Sequence, residues 1–233
     1  MGHYSKYIFE FIVIISGITL SFAIDDYREN NYKRNLTEKS LIKIKKSIEK
    51  SLKRNKTIIK ASKDAVNIAD ILINRNLELF NNKKDSLGYY LSLFAVIETR
   101  YHPNEEEYIA MRNSGLIELI ENDSLVDNLQ KRYSSLDFME AYNVGIWWEE
   151  VRRIAYSKLS FQKKDSGLCG FNSFGEPRCP VSEYIYYEPL NDEELNIISR
   201  KKRYLMSHHD LTIERSILDN IIIKQITKEI NSS

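Results

Sequence analysis

One carboxylate, Glu10, stands near the start of an otherwise apolar run, FEFIVIISGITLSFAI from Phe9 to Ile24. On a helix Gly17 and Ser21 follow it by seven and then four residues, so the three share one face, and Gly17 with Ser21 forms a small-xxx-small pair suited to close helix contact. Glu10 has three open readings. It reaches the headgroups, it lies partly buried, protonated or paired, on a helix–helix contact, or it relays protons. No second charged residue follows it through the run, which weighs against a relay. The two cysteines, Cys169 and Cys179, bracket CGFNSFGEPRC, a turn-rich stretch able to bring the sulfurs together; in an oxidising compartment a disulfide is expected, in a reducing one two free thiols. No histidine lies near them, so a zinc site is not expected.

His208 and His209 are sequence neighbours, so on a helix they diverge and cannot form the i, i+4 pair that grips a metal from one face. With Asp210 and Glu214 nearby a weak metal site is conceivable, but the expected reading is a solvated pair. Glu105 to Glu107, and Glu149 with Glu150, read as helix surface and compensation of the N-terminal dipole before acid–base catalysis. Trp147 and Trp148 read as core anchors, although adjacent helical positions diverge and leave one for a partner. No Gly-rich phosphate loop, G-x-S-x-G elbow, H-E-x-x-H or Cys-x-x-Cys occurs. No catalytic residue, metal or cofactor is therefore expected, and the chain reads as a non-enzyme.

The elements that carry these residues are helices. Glycine (8) and proline (4) are scarce, and Leu, Ile, Lys, Glu and Asn dominate long stretches, which favours an all-α fold. With 34 basic and 33 acidic residues the chain is near neutral and is given no nucleic-acid partner. From Tyr7 to Ile24, a helix of 18 residues would extend roughly 27 Å, close to the hydrocarbon thickness of a bilayer. The competing reading is a cleaved signal peptide, with Lys6 as its basic start and Ser21 to Ala23 as its small-residue site. The length of the run and Glu10 inside it favour a retained transmembrane helix.

Glu10, Gly17 and the following ITLSFAIDDYRE, Ile18 to Glu29, resemble the signature of a large family of uncharacterised bacterial membrane proteins known only as a domain of unknown function. The likeness is close at Glu10, Gly17, Ile18, Ile24 and Glu29, and departs at Phe9 and Ala23, where the family often has Gly and Gln. A weaker likeness covers Tyr108 to Tyr133, a helix, Ser-Gly, helix segment. The resemblance implies a single-span protein with an exported helical domain, and brings no known reaction.

Charge alone argues otherwise, because Arg28, Lys33, Arg34, Lys39 and Lys43 follow the run while only Lys6 precedes it. Long domains translocate largely regardless of charge, and the resemblance implies export. The expectation is therefore a bacterial inner-membrane protein: residues 1–6 cytoplasmic, 7–24 spanning, and 25–233 a periplasmic helical domain with a loop excursion at about 163–190.

Beyond the span no Gly or Pro occurs from Asp25 to Asp85, and Leu41, Ile44, Ile48, Leu52, Ile59, Val66 and Ile73 mark one face of a long amphipathic stalk continuous with the span. Lys33 to Lys63 holds twelve basic and two acidic residues; Asp85 to Glu150 holds thirteen acidic and four basic. The two regions either neutralise each other in a bundle or between protomers, or leave the basic stalk for anionic lipid or an envelope polymer. Asn104 with Glu107 predicts a capping box, Gly115 a helix stop, and Asn122 or Asp123 the next cap. A third helix is predicted from near Leu136, on which Trp147, Val151, Ile154 and Tyr156 offer apolar surface. Asn191 with Glu194 predicts the cap of a long helix, Asp192 to Ile230, antiparallel to the stalk in a bundle.

The function expected from these features is a non-catalytic membrane-anchored scaffold or accessory subunit. It would assemble with itself or another integral membrane protein through the Glu10, Gly17, Ser21 face, with membrane lipid around the span. The alternatives are a sensory domain binding a ligand beside Trp147 and the Tyr184 to Tyr187 stretch, and an accessory subunit of an ion-driven machine that titrates Glu10.

Overall fold

A computed structural model describes residues 2–97, 104–134, 145–161, 184–186 and 188–232. Among the described residues the fold is all-helical apart from one short strand pair. Helix α1 runs Gly2–Asn82, followed by α2 (Lys84–Val96), α3 (Glu106–Asn113), a 3-10 turn (Leu116–Leu119), α4 (Asp123–Ser134), α5 (Gly145–Lys158) and α6 (Asp192–Ser232). Strands β1 (Leu159–Phe161) and β2 (Tyr184–Tyr186) pair antiparallel, with Ser160 opposite Ile185. Part of the expected 163–190 loop is thus a strand, in keeping with the β-branched and aromatic YIY sequence.

The first and last helices are the longest, 81 and 41 residues, as the sequence predicts. The chain divides into two compact units. One comprises 1–48, 104–130 and 222–233; the other 49–103 and 131–221.

In the first unit Leu41, Ile44 and Ile48 of α1 are buried, as are Tyr108, Met111, Leu125, Leu129, Ile222 and Ile226. Lys45 Nζ donates to Thr227 Oγ1 at 2.9 Å, which sets α1 beside α6. Gly115 ends α3 as predicted: its φ of 71° is left-handed, a conformation glycine adopts without a side-chain penalty. Asn122 Oδ1 accepts from the Leu125 N–H at 3.2 Å and caps α4. The capping box predicted at α3 does not form. Asn104 Oδ1 accepts from the Glu106 N–H, while Glu107 turns to α1, accepting from Ser40 Oγ at 2.8 Å and Lys43 Nζ at 3.2 Å. A carboxylate satisfied by a hydroxyl and an ammonium has stronger donors than a backbone N–H provides.

In the second unit α1 and α6 run antiparallel, fixed by Asn55 Nδ2 donating to Ser216 Oγ at 3.1 Å and by the Lys202–Asp70 ion pair at 2.5 Å. Buried positions on α1 step alternately by three and four residues: Asn55, Ile58, Ser62, Ala65, Ala69, Leu72, Asn76, Leu79. Those on α6 do the same from Ile198 through Lys201, Leu205, His208, Thr212 and Arg215 to Asp219. This 3.5-residue period is the seam of coiled-coil packing. Leu52, Ile59, Val66 and Ile73, expected at the centre of the stalk's apolar face, lie half-buried on its flank. The seam itself carries small or polar residues, and Ala65 and Ala69 allow close helix approach.

The apolar core of this unit joins Ala65, Ala69 and Leu72 to Leu87, Leu91 and Phe94 of α2, Val151 and Ile154 of α5, and Ile198 and Leu205 of α6. Buried Val151 and Ile154 match expectation; α2, whose LGYYLSLFAV run supplies much of the core, is a helix that the sequence expectations do not include. At the start of α6 the predicted capping box forms with both bonds at 2.9 Å, Asn191 N–H to Glu194 and Glu194 N–H to Asn191. Just before it, the Asn76 side chain donates to the Leu190 carbonyl at 2.8 Å and accepts from the Leu190 N–H at 2.9 Å, pinning the chain where it enters the helix.

Candidate functional site

Glu10, Gly17 and Ser21 all lie on an exposed length of α1. The most apolar 18-residue window of this helix has no buried part, and it is long and apolar enough to cross a membrane. A Cβ built at Gly17 meets nothing within 4 Å, so no contact among the described residues explains a glycine there. Tyr7 and Tyr27, 66% and 71% exposed, bound the run. Twenty residues of helix separate them by about 30 Å, the spacing of the two aromatic belts of a bilayer. Trp147 and Trp148 lie in α5. Their side chains, and Cys169 and Cys179, lie outside the described residues, as does the predicted helix start near Leu136.

The histidine pair is a correction. His208 is buried at 5% exposure, while His209 turns outward and contacts Asp210 Oδ1 at 3.0 Å. The two diverge as expected, but position 208 falls on the 3.5-residue seam and is carried into the bundle. Neighbouring seam positions are equally polar. Thr212, Arg215 and Asp219 of α6, Asn55 and Ser62 of α1 and Arg132 of α4 are all buried.

Arg132, Arg215 and Asp219 form an ionic layer at the end of α4. Arg132 Nε donates to Asp219 Oδ1 at 2.6 Å, with the two side chains 1% and 0% exposed. Arg215 Nη2 donates to the Arg132 main-chain carbonyl at 2.9 Å, joining α6 to the end of α4. Arg132 also lies over the Tyr133 ring, 4.7 Å from its centre. Thr212 Oγ1 donates to the His208 carbonyl at 2.6 Å, and Ser216 Oγ to the Thr212 carbonyl at 2.7 Å. The pairings of 55 with 216 and 70 with 202 set a register that brings Ser62 level with His208 and Thr212.

Asn55 Oδ1, Ser62 Oγ, His208 Nδ1 and Asp219 Oδ2 are buried with no hydrogen-bond partner among the described residues. Such atoms cost about 1–3 kcal/mol each. Burial lowers the His208 pKa, so the imidazole is neutral at pH 7. It pushes the Tyr204 hydroxyl up to about 12; that ring lies 5.9 Å from His208.

Burying an ion pair adds little over apolar packing of the same volume, because desolvation opposes the Coulomb gain. What such a layer does well is fix register, because a slip of α6 along its neighbours separates Asp219 from Arg132. A second buried cation, Lys201, donates to the Phe94 carbonyl at 2.5 Å and lies 4.6 Å over the Phe94 ring centre, tying α6 to the end of α2. Neither group presents a nucleophile with an adjacent base. Among the described residues no three His, Cys, Asp or Glu side chains gather at a metal-sized point. A cavity of about 30 Å³ in the first unit, lined by Arg34, Thr37, Glu121 and Glu229 among others, has room for a single water.

No protein-family model, curated protein or solved structure matches the chain. Sequence reasoning missed the layer because it sought large apolar residues. The signal was present: a strict three-four stepping from Ile198 to Glu229 that passes through Lys, His, Thr, Arg and Asp.

Proposed function

We propose that this chain is a non-catalytic, membrane-anchored scaffold or accessory subunit, of the uncharacterised single-span family that its amino terminus resembles. It is held in a bacterial inner membrane by residues 7–24, with its amino terminus cytoplasmic and its helical units in the periplasm. The observation that carries the reading is an apolar, wholly exposed length of α1 that continues without a break into helix with a buried seam. Exposed apolar area of this extent is stable in water only when lipid or protein covers it.

Within the span, the Glu10, Gly17 and Ser21 face makes the assembly contact, with a second copy or another integral membrane protein. Gly17 allows close approach there, and Glu10 adds a polar contact. In the periplasm Cys169 and Cys179 form a disulfide.

Cross-linking of the full chain in liposomes, with and without Gly17→Leu, tests the assembly. Loss of the cross-linked species on substitution supports the contact; an undiminished yield removes this face from it. The anchor is tested separately. The mature chain should keep Met1 or Gly2 and stay with membranes in alkaline carbonate, whereas material beginning after Ala23 that washes off would show a cleaved leader.

A further inference from the structure

The first unit carries two surfaces of opposite charge. Residues 33–48 of α1 hold six basic side chains and one acidic, whereas 104–130 holds seven acidic and one basic. Lys43–Glu107 at 3.2 Å and Arg34–Glu121 at 3.9 Å join the two stretches within the unit. Lys39, Lys46, Glu118 and Asp127 are exposed and form no ion pair among the described residues. We propose that these four side chains make a head-to-tail contact between copies of this chain standing side by side in one membrane: Lys39 and Lys46 of one copy meet Glu118 and Asp127 of the next.

The two surfaces lie on opposite sides of the unit. Thr37, Leu41, Ile44 and Ile48 form the buried row of α1, and Lys39 and Lys46 fall about half a turn away from it. Glu118 belongs to the 3-10 turn that covers the buried row, where Thr37, Leu41 and Leu119 line one cavity. Asp127 belongs to α4, which α6 joins through Asn128 and Gln225. The levels also match. Thr37 Oγ1 donates to the Leu116 carbonyl at 3.4 Å, which sets Glu118 close to the level of Lys39. Asn128 Nδ2 donates to Gln225 Oε1 at 3.0 Å, and Thr227 accepts from Lys45, which sets Asp127 close to the level of Lys46. Copies anchored by the same residues in the same bilayer therefore bring Lys39 to Glu118 and Lys46 to Asp127 with no sliding along α1.

A two-fold contact through the same α1 face would instead set Lys39 against Lys39 and Lys46 against Lys46. Complementary surfaces on opposite sides make the contact heterologous, so it repeats into a ring or a row. Lipid does not account for the lysines. Residues 25–34 carry three acidic and three basic side chains, and Lys39 stands about 22 Å of helix beyond Ile24, against a screening length of about 8 Å. The lysine face continues that of the span: Arg28 and then Lys46 follow Glu10, and Lys39 follows Ser21, at intervals of about five turns. The proposal rests on the anchored reading above and names a second copy as the neighbour.

A carbodiimide joins a lysine only to a carboxylate that it touches. Applied in liposomes to equal parts of ordinary and isotope-labelled full chain, it should give mixed-isotope peptides joining 39 or 46 to 118 or 127, and a ladder that extends past the dimer. Energy transfer between copies labelled at the amino terminus measures the association itself. It should weaken as salt approaches 1 M, where the screening length is about 3 Å. Lys39→Glu with Lys46→Glu, and separately Glu118→Lys with Asp127→Lys, should each lower association about tenfold by turning two attractions into repulsions. Mixing the two double variants should restore it. Wild-type cross-links confined to single copies, a ladder that stops at the dimer, undiminished association of either variant, or folded variants that stay apart when mixed overturn the proposal. Should a variant lose its helical circular dichroism, the wild-type cross-links decide. A chain that stays with carbonate-washed liposomes yet gives no cross-link between copies overturns this contact and leaves the anchor standing. One that washes off overturns the anchor and, with it, the shared level on which the contact depends.

Discussion

Replacing Asp219 by Asn removes one negative charge from the ionic layer and almost no volume. Arg132 is 1% exposed and makes its 2.6 Å bond to Asp219 Oδ1, so the variant takes a negative charge away from a buried guanidinium. Because both side chains are out of water, no solvent discount applies, and the cost is that of breaking a buried pair, about 3–5 kcal/mol. With a urea slope of about 2 kcal/mol per M, the midpoint should fall by roughly 2 M. The assay is urea unfolding of the full chain in detergent micelles followed by tryptophan fluorescence. The chain's two tryptophans, Trp147 and Trp148, both belong to the second unit, so the signal reports the unit that contains the layer. The companion variant Arg132→Leu with Asp219→Leu removes both charges, and the Arg215 bond survives it because it goes to the Arg132 main-chain carbonyl. That double variant should recover most of the loss, since apolar replacement of a buried pair is commonly neutral or stabilising by about 1–4 kcal/mol. A single variant costing under about 1 kcal/mol, or a double variant as unstable as the single, would refute the reading of Arg132–Asp219 as a desolvated pair.

Asn76→Ala should lower the stability of the second unit by about 2–4 kcal/mol in the same assay, because it leaves a buried N–H and a buried carbonyl of Leu190 without their partner. Asn191→Ala removes the capping box of α6 at an exposed site and should cost only about 1 kcal/mol by the same measurement. Gly115→Ala meets no atom within 4 Å, so its cost should be the left-handed backbone alone, about 1–2 kcal/mol, read from exchange protection of α3 and α4.

Much of the helical framework was legible in residue type and spacing. The absence of Gly and Pro from 25 to 85 foretold a long first helix; Asn191 with Glu194, Gly115 and Asn122 marked helix ends where the structure has them. These are local signals, decided by bonds within a turn of the residue concerned. The box at Asn104 failed for the complementary reason: Glu107 found partners on α1, far along the chain, that a local rule cannot see.

The apolar run from Tyr7 to Ile24 is likewise written in the sequence, since length and hydropathy alone set whether a helix can cross a bilayer. The seam is different. Both Leu52, Ile59, Val66, Ile73 and Asn55, Ser62, Ala69, Asn76 recur every seven residues, and helical periodicity does not say which row faces the partner helix. Only the meeting of α1 with α6 and the end of α4 settles that Asn55 and Ser62 turn inward, and that His208 is buried while His209 stays at the surface. The charge of Arg132 is compensated by Asp219, 87 positions along the chain, so neither residue alone announces the layer they make.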